Sequence, residues 1–376
     1  MFSQLKANLK NIGGWTTRRR LVVINVDDFG NVRVASRSAR ERLAASGLDL
    51  SERMDRFDSL ETREDLLRLF EVLESVKDRS GRSPVLTPYT VMANPDFDRI
   101  RKERSYSYEL LPQTFERLAD DDPDAYAGAW QAWKEGVARG LLRPQFHGRE
   151  HLSLSLFNYK LQINAPDLLA NLKHNSMAGL KSELPGIGFT QAFALTPRYS
   201  LDQQLQSHRE IIESGLEHFQ QLFGFRSRTF TAPSQILHPD LYPAIEVAGV
   251  VGIDKPFRSA RYFESQRTGT ERRLTGRRRG QKHVTIVRNV VFEPAAEKAS
   301  DHVARALEMM SAAFRWRKPA IISSHRVNFS GYIEPERRSQ GLAALSHLLR
   351  AMIQRWPDIE FVSADELVTV IEASTK

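Results

Sequence analysis

The sequence predicts an α/β fold, a (β/α) barrel of about seven units, and three observations predict it. Short β-rich runs alternate with longer runs of helical period along the whole chain, which implies a parallel sheet. About seven or eight such units can be counted, enough to close or nearly close a sheet on itself. The 376 residues carry no internal repeat and no low-complexity linker, so residues 1–376 read as a single domain. Hydrophobic residues make up 41% and charged residues 27%, which excludes disordered, collagen-like and coiled-coil classes.

The elements follow in order. Residues 21–26 (Leu-Val-Val-Ile-Asn-Val) are a buried strand, apolar on both faces as parallel strands are. Helical periodicity follows over 34–45 and 61–76, and 84–87 is a second strand. Residues 96–140 form a charged, mostly helical insertion, and 144–146 a short strand that ends at His147. An apolar run over 189–195 reads as a strand. Residues 202–223 are a strong helix with Ile211, Ile212, Leu216, Phe219 and Leu222 on one face. Strands at 227–231, 250–253, 284–292, 320–323 and 359–362 alternate with helices at 239–248, 301–314 and 336–356. Ser363 and Glu366 have the spacing of a capping box and open a terminal helix. The polar, Gly/Arg-rich stretch 262–282 reads as a mobile basic loop.

Composition narrows the chemistry. There is no cysteine, so any metal must rest on His, Asp and Glu. The net charge of +8 favours acidic partners. Its densest runs are Arg18 to Arg20, and Arg272, Arg273, Arg277, Arg278, Arg279 and Lys282. They carry no nucleic-acid signature and read as solvated segments, so no nucleic-acid partner is expected. No signal peptide or apolar run of membrane-spanning length is visible, and a cytoplasmic protein with no membrane span is expected.

Three strand ends carry chemistry. Asp27 and Asp28 stand side by side where the first strand stops, and neighbouring carboxylates repel unless a cation or proton is shared. A helix cap at Asp28 would be the plain structural alternative. His147 and His151, at i and i+4, suit one metal ion if they share a face of a helical turn. Glu150 does not follow the first histidine directly, so a zincin is excluded. The apolar strand 320–323 runs on into His325. Together, Asp28, His147 and His151 supply three ligands with an open position, the pattern of a catalytic zinc-like site. Asp27 is then the candidate general base and His325 the candidate general acid. His208 and His218 read as solvated, and His238 as structural.

At these residues the chain resembles the polysaccharide deacetylases, the NodB-homology family of carbohydrate esterases. Val26-Asp27-Asp28 is similar to the family's first motif, His147 to His151 to its second, and Ile321 to His325 to its last, in the family's order. Asp27 to Gly30 also looks like the opening of the chitooligosaccharide deacetylases. The resemblance implies a distorted NodB-like (β/α)7 barrel and a divalent metal, usually zinc, on Asp28, His147 and His151. It implies that Asp27 activates water, that His325 protonates the leaving group, and that the substrate is an acetylated sugar: a polysaccharide, an oligosaccharide or a glycan precursor in polysaccharide biosynthesis.

The chain departs from that pattern in places. Gly148 replaces the usual Ser or Thr of the second motif. The third-motif arginine that orients the aspartate base is missing, the region reading Thr231-Ala232-Pro233-Ser234-Gln235, and Arg228 sits too early on its strand to replace it. Ser234, Asp254, Arg326 and Asn328 are expected in the substrate or supporting shell, with Arg326 or Asn328 supplying lost functions. Tyr89, Asn94, Trp130 and Trp133 are the sugar-contact candidates, with core packing the expectation for both tryptophans. Two other readings stand beside the deacetylase. One is a catalytically degenerate glycan-binding protein. The other is a different metal-dependent hydrolase on the same barrel, including a glycosidase using Asp27 with Glu150 or Asp254.

Overall fold

The computed structural model describes residues 7–263, 266–276, 282–296 and 301–374. Its strands in chain order are β1 (Arg20–Phe29), β2 (Leu86–Val91), β3 (Ala93–Pro95), β4 (Tyr108–Leu110), β5 (Gln145–Gly148), β6 (Thr229–Phe230), β7 (Gly252–Asp254), β8 (Arg258–Phe263), β9 (Gln266–Arg272), β10 (Val284–Ile286), β11 (Val290–Val291), β12 (Ala320–His325) and β13 (Ile359–Phe361). The main sheet runs β10-β7-β6-β5-β2-β1-β12-β11, with all neighbours parallel. β13 pairs with the first residues of β1, Arg20 opposite Ile359.

The two ends of that order, β10 and β11, are separated in the chain only by Val287, Arg288 and Asn289. One bent stretch therefore pairs with β7 at its start and with β12 at its end. It curls the sheet into a distorted barrel of seven positions: β1, β2, β5, β6, β7, β10 with β11, and β12. The Asn289 side chain mends the ladder at the bend. Its Oδ1 accepts from Ile321 N at 2.8 Å and its Nδ2 donates to Pro319 O at 2.9 Å.

Alternation along β1 sorts its side chains. Val22, Ile24 and Val26 pack outward on the helices, in a cluster with Leu66, Leu69 and Phe70. Leu21 and Val23 face the barrel interior with Tyr89, Val284, Ile286 and Ile321. Leu367, Val368 and Ile371 of the terminal helix Ala364–Ala373 belong to the same interior cluster, so this helix plugs the N-terminal end of the barrel. Ala364 N donates to Thr87 Oγ1 at 3.0 Å, and Ser363 N to Glu366 Oε2 at 2.8 Å. The strand N-termini are thus sealed by apolar packing, and the polar strand C-termini remain the open end.

The insertion holds helices Phe97–Glu103, Leu111–Asp121, Pro123–Tyr126 and Ala129–Ala138, with β3 and β4 paired antiparallel. Two expectations are corrected. Residues 189–195 are turns, not a strand: Phe189 packs on one apolar cluster while Ala192 and Phe193 pack on another, with no partner strand. The expected loop at 262–282 contains much of an antiparallel hairpin, β8 with β9, because alternating Thr, Arg and Glu satisfies a two-residue period despite its polarity. Arg277 to Arg279 lie outside the described residues. Among the described residues no helix is long and apolar enough to cross a membrane.

Candidate metal centre and active site

Asp27 and Asp28 would point to opposite faces in a regular strand. Here the β1–β2 register shifts between Val26 and Phe29, and Asp28 adopts a left-handed φ of 73°. This bulge turns both carboxylates toward one cavity of about 330 Å3 at the open end of the barrel. The turn is braced from behind. Gly30 N donates to the Glu61 carboxylate at 3.2 Å, Asn94 Nδ2 donates to Gly30 O, and Asn94 Oδ1 accepts from Val32 N, both at 2.8 Å.

His147 ends β5. His151 lies in the loop before helix Leu154–Gln162, so the pair does not share a helical face. Gly148, at φ 129°, makes the turn that brings the two rings to 5.0 Å. His147 Nδ1 donates to Thr231 O at 2.6 Å, which leaves the Nε2 lone pair facing the site. That Nε2 is buried, has no hydrogen-bond partner, and stands 3.4 Å from Asp28 Oδ1. His151 Nε2 is 3.1 Å from the same oxygen. Burial pushes the His151 pKa down, and burial would raise that of Asp28, but the histidines beside it hold its carboxyl well below the usual carboxylate range.

The donor atoms of Asp28, His147 and His151 lie within 4.8 Å of one another. The His147 Nε2 lone pair facing a carboxylate oxygen calls for a cation between them. Two imidazoles and a carboxylate with an open side fit a zinc-like divalent metal.

Asp27 is clamped by a residue that sequence reasoning missed. Arg288, at the bend between β10 and β11, binds it in bidentate fashion: Nη1 to Oδ2 at 2.6 Å and Nη2 to Oδ1 at 2.7 Å. Arg288 Nε also pairs with Asp254, and its Nη2 donates to Thr231 Oγ1 at 3.0 Å. Burial would raise the Asp27 pKa, yet the guanidinium keeps it below the ordinary value, so the carboxylate stays ionised. The expected loss of the orienting arginine is therefore corrected: the same charge arrives from another strand.

His325 pairs in register with Asp27 across β1 and β12. Its Nδ1 contacts Glu293 Oε1 at 2.6 Å. Burial would lower its pKa, but Glu293, Asp28 and Asp27 raise it to about 9, so the ring is cationic at neutral pH. Glu293 was also missed. Arg53 Nη2 at 2.7 Å and Asn328 Nδ2 at 2.9 Å hold its other oxygen.

Of the expected shell, Ser234 lines the cavity, Asp254 holds Arg288 and Asn328 holds Glu293. Arg326 does not reach the cavity. It is buried behind the bulge, where it pairs with Asp58 and Glu61, and so it does not replace the orienting arginine. Arg228 binds Thr369 and Glu372 on the terminal helix. Tyr89 is buried beneath the site with its hydroxyl on Thr229, while Asn94 serves the bulge. Trp133 is core and donates to Glu61, and Trp130 stacks on Phe115. Glu150 is buried on Arg149 and Tyr106. His208 is buried against Phe193 rather than solvated, and His218 contacts Tyr108.

No family model matches the chain, and no curated protein is similar to it in sequence. Nineteen chains of solved structures are distantly similar, three of which follow. Puue allantoinase is 12% identical with a TM-score of 0.46, over 96% of this chain and 93% of its own. A chain designated a polysaccharide deacetylase, from Mycobacterium smegmatis, is 10% identical with a TM-score of 0.46, over 96% of this chain and 94% of its own. A 4-alpha-glucanotransferase from Thermococcus litoralis is 10% identical with a TM-score of 0.46, over 94% of this chain and 40% of its own.

Proposed function

We propose that this chain is a metal-dependent deacetylase of acetylated sugars. One observation carries the reading: a three-donor metal cluster, an ionised carboxylate and a cationic histidine face one cavity, each fixed by its own partner. Asp28, His147 and His151 would hold the metal, with zinc the best fit to that donor set. A divalent ion there supplies Lewis acidity, acidifying water and polarising an acyl carbonyl. Asp27, aligned by Arg288, accepts a proton from the attacking water. His325 donates its proton to the leaving amine or alcohol as the C–N or C–O bond breaks. The acyl group leaves as a carboxylate.

A glycosidase needs two carboxylates flanking a bond. Asp27 and Asp254 instead share one guanidinium, and Glu150 lies outside the cavity lining. The binding-protein reading rested on a missing arginine, and Arg288 removes that ground.

The test is metal analysis beside acetate release from a panel of acetylated sugars, on wild type, His147→Ala and Asp28→Ala. We expect about one divalent ion per chain, lost in both variants together with acetate release, since removing one of three ligands abolishes useful affinity. Wild-type protein that binds no metal even when zinc is supplied would overturn the mechanism.

A further inference from the structure

The segment that leads into β1 packs with its polarity reversed. Residues 7–10 are helical and run on into turns. Ala7 and Asn11 are buried against the protein. The Asn11 side chain donates to Ala7 O and accepts from Asn289 Nδ2, both at 2.8 Å. Leu9 and Ile12 face solvent instead, 46% and 41% exposed. A helical turn held by apolar packing would do the opposite. In the sequence, Phe2, Leu5, Leu9 and Ile12 recur at intervals of three, four and three residues, so the large apolar side chains keep one helical spacing.

Trp316 joins this face through Asn8. Its indole Nε1 donates to Asn8 Oδ1 at 3.0 Å, and the residue is 40% exposed. Arg315 Nη1 donates to the same oxygen at 3.1 Å, and Arg272 Nη2, on β9, donates to Leu9 O at 3.2 Å. Cations therefore border the apolar side chains, with Lys10 next to Leu9 and Arg317 next to Trp316 in the chain. Residues 1–20 carry Lys6, Lys10, Arg18, Arg19 and Arg20 and no acid. Glu308 shares a shallow groove with Asn8, but Arg315 and Arg355 line that groove too. Exposed aliphatic side chains, an indole with its N–H satisfied and a rim of cations suit a bilayer surface with anionic headgroups. A second copy of this chain would set like charge against like charge, and a soluble polyanion would leave Leu9 and Ile12 in water.

We infer that this face docks on an anionic phospholipid bilayer. Leu9, Ile12 and Trp316 enter the headgroup boundary, and the neighbouring lysine and arginines meet lipid phosphates. The barrel is then held at the membrane surface from outside, whatever bond its catalytic cavity hydrolyses.

The test is sedimentation of the full chain with vesicles of phosphatidylcholine alone and of phosphatidylcholine with about 30% phosphatidylglycerol. Partitioning should be about tenfold or more stronger on the anionic vesicles and should weaken by a similar factor in about 0.5 M salt. Leu9→Gln combined with Ile12→Gln should lose about tenfold or more of that binding. Its unfolding midpoint and metal content should stay at the wild-type values, because both side chains are exposed. The chain has no cysteine, so Ile12→Cys can carry a single environment-sensitive fluorophore. Its emission should shift to the blue on anionic vesicles and stay unshifted with neutral ones. Equal partitioning on both vesicles, or full binding by the double glutamine variant, overturns the inference. Binding without the blue shift is charge adsorption alone and also overturns it. So does a wild-type chain that ignores vesicles but doubles its mass in light scattering, with the doubling lost in the glutamine variant, since the occupant is then a second copy.

Discussion

Arg288 pairs with both buried carboxylates beside it and keeps Asp27 below its ordinary pKa despite burial. Lysine carries the same charge but cannot bind Asp27 through two nitrogens while also reaching Asp254. Arg288→Lys should lower kcat by about 100-fold or more and leave metal content at the wild-type level, because no ligand is touched. Near-normal turnover in that variant would remove Asp27 from the role of base. Glu293 sets the other side. His325 is cationic up to about pH 9 because Glu293, with Asp28 and Asp27, outweighs its burial. In Glu293→Gln only the desolvation and more distant charges remain, so the pKa falls and the proton is lost at lower pH. The alkaline limb of the activity profile should move down from about 9 toward or below 7, costing activity at pH 8 far more than at pH 6. An unmoved limb would show that His325 is not the acid. Asp27, Asp28, His147 and His325 were legible because each ends an apolar strand. Arg288 was hidden inside a run read simply as strand, although a lone arginine among Val and Ile is costly unless paired. Glu293 gave the same signal as Asp27, an acid just past a strand, without a neighbouring acid to draw attention.

At the scale of elements, two short irregularities do most of the positioning. The bulge at Asp27 and Asp28 aims consecutive side chains at one cavity, and the turn at Gly148 folds His151 back on His147. A Cβ at Gly148 would stand 3.1 Å from Glu150 O, in a conformation L-residues rarely adopt. The glycine here thus answers a backbone demand. Gly148→Ala should cost about 1–3 kcal/mol of stability and weaken metal binding by about tenfold or more, read by melting and by metal titration. A variant with unchanged metal affinity would show that this turn does not set the ligand geometry. Caps and periods made most helices and strands visible from residues alone, as at Ser363 with Glu366 and along the apolar face of the helix at 202–223. The bulge and the hairpin of β8 and β9 were not visible, because a register shift depends on the partner strand and a polar hairpin lacks an apolar face.

For the whole molecule, the parallel topology and the barrel were legible in the alternation and number of elements, whereas the seam was not: it depends on one bent stretch touching two distant strands. Stability should also show an acid-side loss from His208. Burial against Phe193 pushes its pKa down to about 4, while in the unfolded chain it titrates near 6.5. The unfolded state therefore binds the proton first as pH falls. The contribution is intact above about 6.5 and is lost as pH falls through 4, by up to about 3 kcal/mol. His208→Leu should flatten that part of the pH–stability curve in denaturant titrations. An equally steep curve in the variant would place the loss elsewhere.

The bent stretch at 284–291 has a consequence in time as well as in space. Arg288 meets Asp27 across 261 residues of chain, and only once β10 and β11 have joined β7 to β12. Closing this seam of the barrel and aligning Asp27 are one event. A nascent or half-refolded chain can carry its helices and most of its sheet and still hold an unaligned carboxylate. Alignment of Asp27 is thereby postponed until the ring is complete.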